Sequence, residues 1–179
     1  FVIDTSGSMY NSRGWDKMLR IIEETLTVHP EVKGIQVMND MGTYMFAGFA
    51  GKWMPDTPQR RNQIISRLRT WTGGFSNSSP VEGIEKAIRT FRPQKGSADD
   101  EDDKKISIYV LGDDFRSTRQ SGNIQNVIRE IDGINIEDAN GDRLVRIHGI
   151  AFPNIFLDAP ERFWPSAIAY TNLMRELTQ

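Results

Sequence analysis

Phe1-Val2-Ile3-Asp4-Thr5-Ser6-Gly7-Ser8 is the stretch from which the fold is read. Three apolar residues suited to a buried strand end on a carboxylate, which opens a hydroxyl-rich loop hinged on one glycine. A helix is predicted from Trp15 or Asp16, with Met18, Ile21, Ile22, Thr25 and Leu26 on one face. Residues 34–38 and 43–46 read as two strands about the turn Asn39-Asp40-Met41-Gly42, a hairpin.

Farther along, Thr57-Pro58 is an N-cap followed by proline at the first helical position, opening a helix that carries Ile64, Ile65 and Leu68. Ser79-Pro80-Val81-Glu82 has the spacing of a capping box, with Ser79 as the cap and Val81, Ile84, Ile88 and Phe91 as an apolar stripe. Residues 106–111 are a β-branched, nearly uncharged strand ending at Gly112-Asp113-Asp114. Ile124, Val127, Ile128 and Ile131 mark another helix. Residues 144–152 read as a strand whose charged entrance, Arg143 and Arg146, predicts partial exposure, and Ile168, Leu173 and Leu177 mark a last helix.

Strands separated by helices require crossovers. The expected fold class is therefore α/β, with a doubly wound, mainly parallel central sheet, helices on both faces and one antiparallel edge strand from the hairpin. Ligands on such sheets bind beyond the carboxyl ends of the strands, where strand order reverses.

The 179 residues and 20.4 kDa fit a single domain spanning 1–179. Lys+Arg 22 against Asp+Glu 24 gives a net charge of -2, without the basic field that phosphate-backbone binding needs, so no nucleic-acid partner is expected. No apolar run approaches the roughly 20 residues of a membrane span, so no membrane insertion by this segment is expected. Cys 0 removes disulfides, thiol catalysis and thiolate zinc sites. Because Phe1 already lies in an apolar run, a flanking N-terminal segment is expected to precede it. Compartment and oligomeric state are not legible.

Three segments concentrate oxygen: residues 4–8 after the first strand, Ser76-Asn77-Ser78 before a capped helix, and Asp113-Asp114. Hydroxyls and carboxylates meeting at one point suit a hard cation such as Mg²⁺. Asp4 and Asp113 together cancel a divalent charge, and the serines add none. That donor set leaves room for an external carboxylate.

Asp4-Thr5-Ser6-Gly7-Ser8 matches the D-x-S-x-S signature of the von Willebrand factor type A domain, and the element order of nearly the whole chain is similar to that family. The resemblance implies a metal-ion-dependent adhesion site holding Mg²⁺ (or Mn²⁺ or Ca²⁺), and a protein ligand that offers a carboxylate. It carries Asp4, Ser6 and Ser8 over from the first loop and Asp113 from the end of a later strand. The family's second-loop Thr is replaced by Ser here. Ser78 is preferred to Ser76 because it precedes the helical pair Gly83-Ile84 at the family's spacing. The family sheet usually ends on one more strand, so a last C-terminal strand is expected to be missing.

Other readings were weighed. Asp and Ser after a strand are common turn formers, and Asp114 reads as supporting or solvated rather than as a ligand. The run Asp99-Asp100-Glu101-Asp102-Asp103 reads as a solvated loop, and Asp138, Asn140 and Asp142 lack the Gly and Glu of a calcium loop. His29 and His148 are the only histidines, and neither a G-x-S-x-G elbow nor a P-loop is present. A magnesium-dependent haloacid-dehalogenase-like phosphohydrolase would need an acid where Ser6 stands. A metal-free scaffold is the remaining alternative. Tyr10, Trp15, Phe75 and Phe115 flank the loops as rim or core, and Arg13 and Arg116 would attract an acidic partner.

Overall fold

A computed structural model describes residues 1–11, 13–92, 105–116, 123–137 and 141–178. The acidic run at 99–103, Asp138 and Asn140 lie outside them. Four strands form one sheet: β1 (Val2–Ile3), β2 (Met38–Asn39), β3 (Ile106–Gly112) and β4 (Val145–Ala151). The sheet is parallel throughout and ordered β2-β1-β3-β4. The chain first crosses from β1 to one side and later returns to the other, so the order reverses between β1 and β3.

Among the described residues seven α-helices accompany the sheet: α1 (Gly7–Asn11), α2 (Gly14–Val28), α3 (Pro58–Leu68), α4 (Val81–Phe91), α5 (Ile124–Ile134), α6 (Asn154–Asp158) and α7 (Trp164–Leu177). Alternation along the strands divides the core in two. Val2 and Val110 face a cluster with Ile84, Ile88, Val127, Ile131 and Leu173, from α4, α5 and α7. Ile3 and Leu111 face the other, with Met18, Ile22, Ile64 and Leu68, from α2 and α3. Helices thus cover both faces, as the separated apolar stripes predict.

Among the described residues the predicted antiparallel edge strand does not form. The turn does: the Gly42 N–H donates to the Asn39 carbonyl at 2.9 Å, with Gly42 at φ +73°. The return limb contributes only a lone Met38–Tyr44 bridge, and the chain then coils into a 3₁₀ turn at Ala47–Phe49. Beyond it Ile35 and Met54 form a second lone antiparallel bridge, and the buried Gln36 amide donates to the Phe49 and Lys52 carbonyls at 2.8 and 2.6 Å. Sheet pairing on this side comes instead from Met38 and Asn39, parallel to Val2 and Ile3.

Capping agrees at one helix and differs at another. The Thr57 hydroxyl accepts the Arg60 N–H at 3.1 Å, with Pro58 at the start of α3. At α4 the cap position falls to Pro80, not Ser79. The Ser79 hydroxyl donates to the Glu82 carboxylate at 3.2 Å. β4 is an edge strand with Arg146 exposed, in keeping with its charged entrance.

Candidate metal centre

Register brings three strand ends together. Ile3 pairs with both Asn39 and Leu111. The next residues, Asp4 and Asp40, are therefore level with Gly112, and Asp113 follows. The Asp4 N–H donates to the Leu111 carbonyl at 2.8 Å, and the Asp40 N–H to the Ile3 carbonyl at 2.9 Å. Gly112 permits the close approach, because a Cβ there would lie 3.0 Å from the Asp4 Cβ. Asp4, Asp40, Asp113 and Asp114 are all buried.

The first loop closes into an arc. The Ser6 N–H donates to Asp4 Oδ1 at 2.7 Å, the Ser6 and Ser8 hydroxyls are 2.9 Å apart, and the Ser8 hydroxyl donates to Asp113 Oδ1 at 3.0 Å. Ser8 sits on α1, as does Tyr10, whose ring centroid is 4.1 Å from that of Trp15 and whose hydroxyl donates to the Trp71 carbonyl at 2.6 Å.

The second loop is suspended over the first. Gly73, at φ +65°, lies so close to Thr5 that a Cβ would come within 2.1 Å of its methyl. The Asn39 amide donates to the Gly73 and Phe75 carbonyls at 2.7 and 3.1 Å. The two serine candidates then part company. Ser76 Oγ is 2.7 Å from Asp40 Oδ2 and 3.4 Å from Asp4 Oδ1. Ser78 adopts φ +57°, rare outside glycine, and is held there from three sides. Its N–H donates to Ser76 Oγ at 3.2 Å, its carbonyl accepts the Arg116 N–H at 2.9 Å, and its hydroxyl faces Asp114, whose charged form it favours.

Asp4, Asp113 and Asp114 each present a carboxylate oxygen, the three lying within 4.8 Å of one another. Asp4 Oδ2, Asp113 Oδ2 and Asp114 Oδ1 are buried with no hydrogen-bond partner. Burial, then the charges of Asp113 and Asp40, holds the Asp4 carboxyl well above the usual range. Burial and the neighbouring Asp114 push Asp113 up to about 6. Burial also raises Asp40 and Asp114, the latter opposed by the Ser78 hydroxyl and by Arg116, whose Nε is 3.2 Å from Asp114 Oδ2. Such crowding of like charges away from water favours either protons or a cation.

The structure thus brings Asp4, Ser6, Ser8 and Asp113 into one arc and joins Ser78 to it through Asp114 and Ser76. Asp114, which reads in the sequence as supporting or solvated, is a member of the cluster, and Asp40, which carries no sequence signal, anchors both loops by accepting from the Thr5 hydroxyl at 3.4 Å and from Ser76. Of the four flanking aromatics, Trp15 and Phe115 are buried, Tyr10 is packed on Trp15, and only Phe75 stands free, 75% exposed beside Ser76. Asn77, which fits a glycosylation acceptor by pattern, donates its amide to Glu82 at 3.3 Å.

No family model matches this chain, and no curated protein and no solved structure matches it either.

Proposed function

We propose that the chain is a metal-dependent protein-binding module, for adhesion or assembly, of the von Willebrand factor A type and with that family's Rossmann-like architecture. Asp4, Ser6, Ser8, Ser78 and Asp113, joined by Asp114, would hold a divalent cation, with Mg²⁺ first and Mn²⁺ or Ca²⁺ as substitutes. The observation that carries this reading is a group of three buried aspartates whose carboxylates approach within 4.8 Å, each with one oxygen left without a hydrogen-bond partner. An ionised carboxylate removed from water and left unpaired is strongly unfavourable, and three together are more so. A hard cation relieves all three at once, and the serine hydroxyls supply the neutral oxygens such ions accept. Its place at the carboxyl ends of β1 and β3, where strand order reverses, supports the same reading.

In the family's manner, the ion would capture a partner through an acidic side chain. Asp4, Asp40, Asp113 and Asp114 against a dication and Arg116 leave one negative charge, so an arriving carboxylate needs further positive charge nearby. Calorimetric titration with Mg²⁺ and Mn²⁺ tests the metal, with Asp4→Ala as the control. Saturable binding by the native chain, lost in the variant, is the expected result. Absence of binding at millimolar metal overturns the proposal.

A further inference from the structure

A ledge of aromatic side chains and guanidinium groups adjoins the carboxylate cluster. α6 packs against α1, which bears Ser8. The Phe115 N–H donates to the Ser166 carbonyl at 3.0 Å, tying the start of α7 to the segment after β3. The Arg116 and Arg162 guanidinium carbons lie 5.9 and 4.9 Å from the centroid of one ring, Phe163. Phe156 and Trp164 pair beside it with centroids 5.8 Å apart, both exposed, and Leu157 is 71% exposed.

Large apolar side chains gathered at the surface mark contact sites, and Arg and aromatic residues dominate the binding energy of such sites. A guanidinium laid over a ring keeps its N–H groups free for a carboxylate. Arg116 is half exposed and already bonded to Asp114, whereas Arg162 has no carboxylate partner among the described residues. That cation lies on the ledge next to the cluster and is the kind of added positive charge an incoming acid needs.

We infer that this ledge docks a peptide segment of a partner protein in which an acidic residue is flanked by a large apolar one. The acid would go to the ion and to the arginines, and the apolar side chain onto Phe156, Leu157 and Trp164. The inference rests on the metal-dependent reading above and adds what the partner must carry beside its acid.

A random-peptide phage library selected on the full chain with Mn²⁺ and eluted with chelator tests it. Enriched sequences should share Asp or Glu next to Leu, Phe or Trp. A synthetic peptide of that consensus should bind about tenfold more weakly to Arg162→Glu and to Phe156→Ser, the loss typical of an interface hot spot. Mn²⁺ binding by both variants should match the native chain, which also verifies their folding. Three results overturn the inference alone while Mn²⁺ still binds: no chelator-eluted enrichment, enriched sequences without the acidic–apolar pair, or peptide affinity indifferent to both variants. Failure of the native chain to bind Mn²⁺ removes the metal reading and this one together.

Discussion

Arg61 and Asp56 form an ion pair with nothing left over, whereas Asp4, Asp113 and Asp114 bury three carboxylates with an oxygen to spare on each. The Arg61 guanidinium meets both Asp56 oxygens, at 2.6 and 2.5 Å, and also the Leu26, His29 and Pro30 carbonyls, while the Val32 N–H completes Asp56. This clamp joins the end of α2 to the start of α3, and the Arg61 partner holds the Asp56 carboxyl below its usual range. The carboxylate cluster runs the other way, with every member raised. A charged group that the chain satisfies by itself serves the fold; one it leaves unsatisfied is kept for something that arrives from outside.

Four substitutions or conditions can break or sharpen that contrast. The largest effect is expected from Asp113→Ala, which should weaken Mn²⁺ binding by about 100-fold or more in calorimetry, the scale of a lost charged ligand, with little loss of metal-free stability. Next, Arg61→Met should lower stability in urea by about 3 kcal/mol, because it strands Asp56 and three carbonyls, yet leave Mn²⁺ affinity alone. If the two variants exchanged effects, the division into a satisfied and an unsatisfied cluster would be wrong.

Asp4→Asn removes a crowded charge but retains the Oδ1 acceptor for the Ser6 N–H. The metal-free variant should therefore be more stable than the native chain, by roughly 1–2 kcal/mol. A fall in stability would mean that the cluster is internally compensated.

The smallest effect is the pH dependence. Asp113 titrates at about 6 when folded against 3.8 when free, so the folded chain holds that proton more tightly. Its contribution is complete below about pH 3.8 and is lost as pH rises through 6. Asp56 has the opposite sign: its contribution is present above 3.8 and disappears as pH falls through its depressed folded value. Metal-free protein should consequently melt a few degrees higher at about pH 5 than at pH 7.5. With Mn²⁺ present the order should reverse, since protons and metal compete for the same oxygens.

Much of the fold was legible because its signals are local. Strand β3 is a β-branched run, α3 opens on Thr57-Pro58, and the apolar stripes of α4 and α5 keep helical spacing. The hairpin misled because alternation in 34–38 and 43–46 cannot report that the chain coils after Phe46, where the Gln36 side chain bonds the Phe49 and Lys52 carbonyls. Of the site, Asp4, Ser6, Ser8 and Asp113 stand out as oxygen after a strand. Asp40 did not, since an Asp two residues before Gly42 reads as an ordinary turn former. Its role follows from register: once Ile3 pairs with Asn39, the residue after each falls side by side. Asp114 was hidden for a different reason. Adjacent residues on an extended strand point to opposite faces, so Asp113 and Asp114 could not be expected to turn into one site; both do so only because the chain leaves β3 at Gly112.

The packing of α1 has an optical consequence. The short helix bearing Ser8 also bears Tyr10, tilted against one buried indole, Trp15, and hydrogen-bonded to the backbone of another, Trp71. A displacement of the Ser8 hydroxyl is thereby transmitted to two shielded tryptophans, whose emission is separable from that of the half-exposed Trp53 and Trp164 by its shorter wavelength. If the first loop takes up metal as proposed, these two indoles would report it without a label.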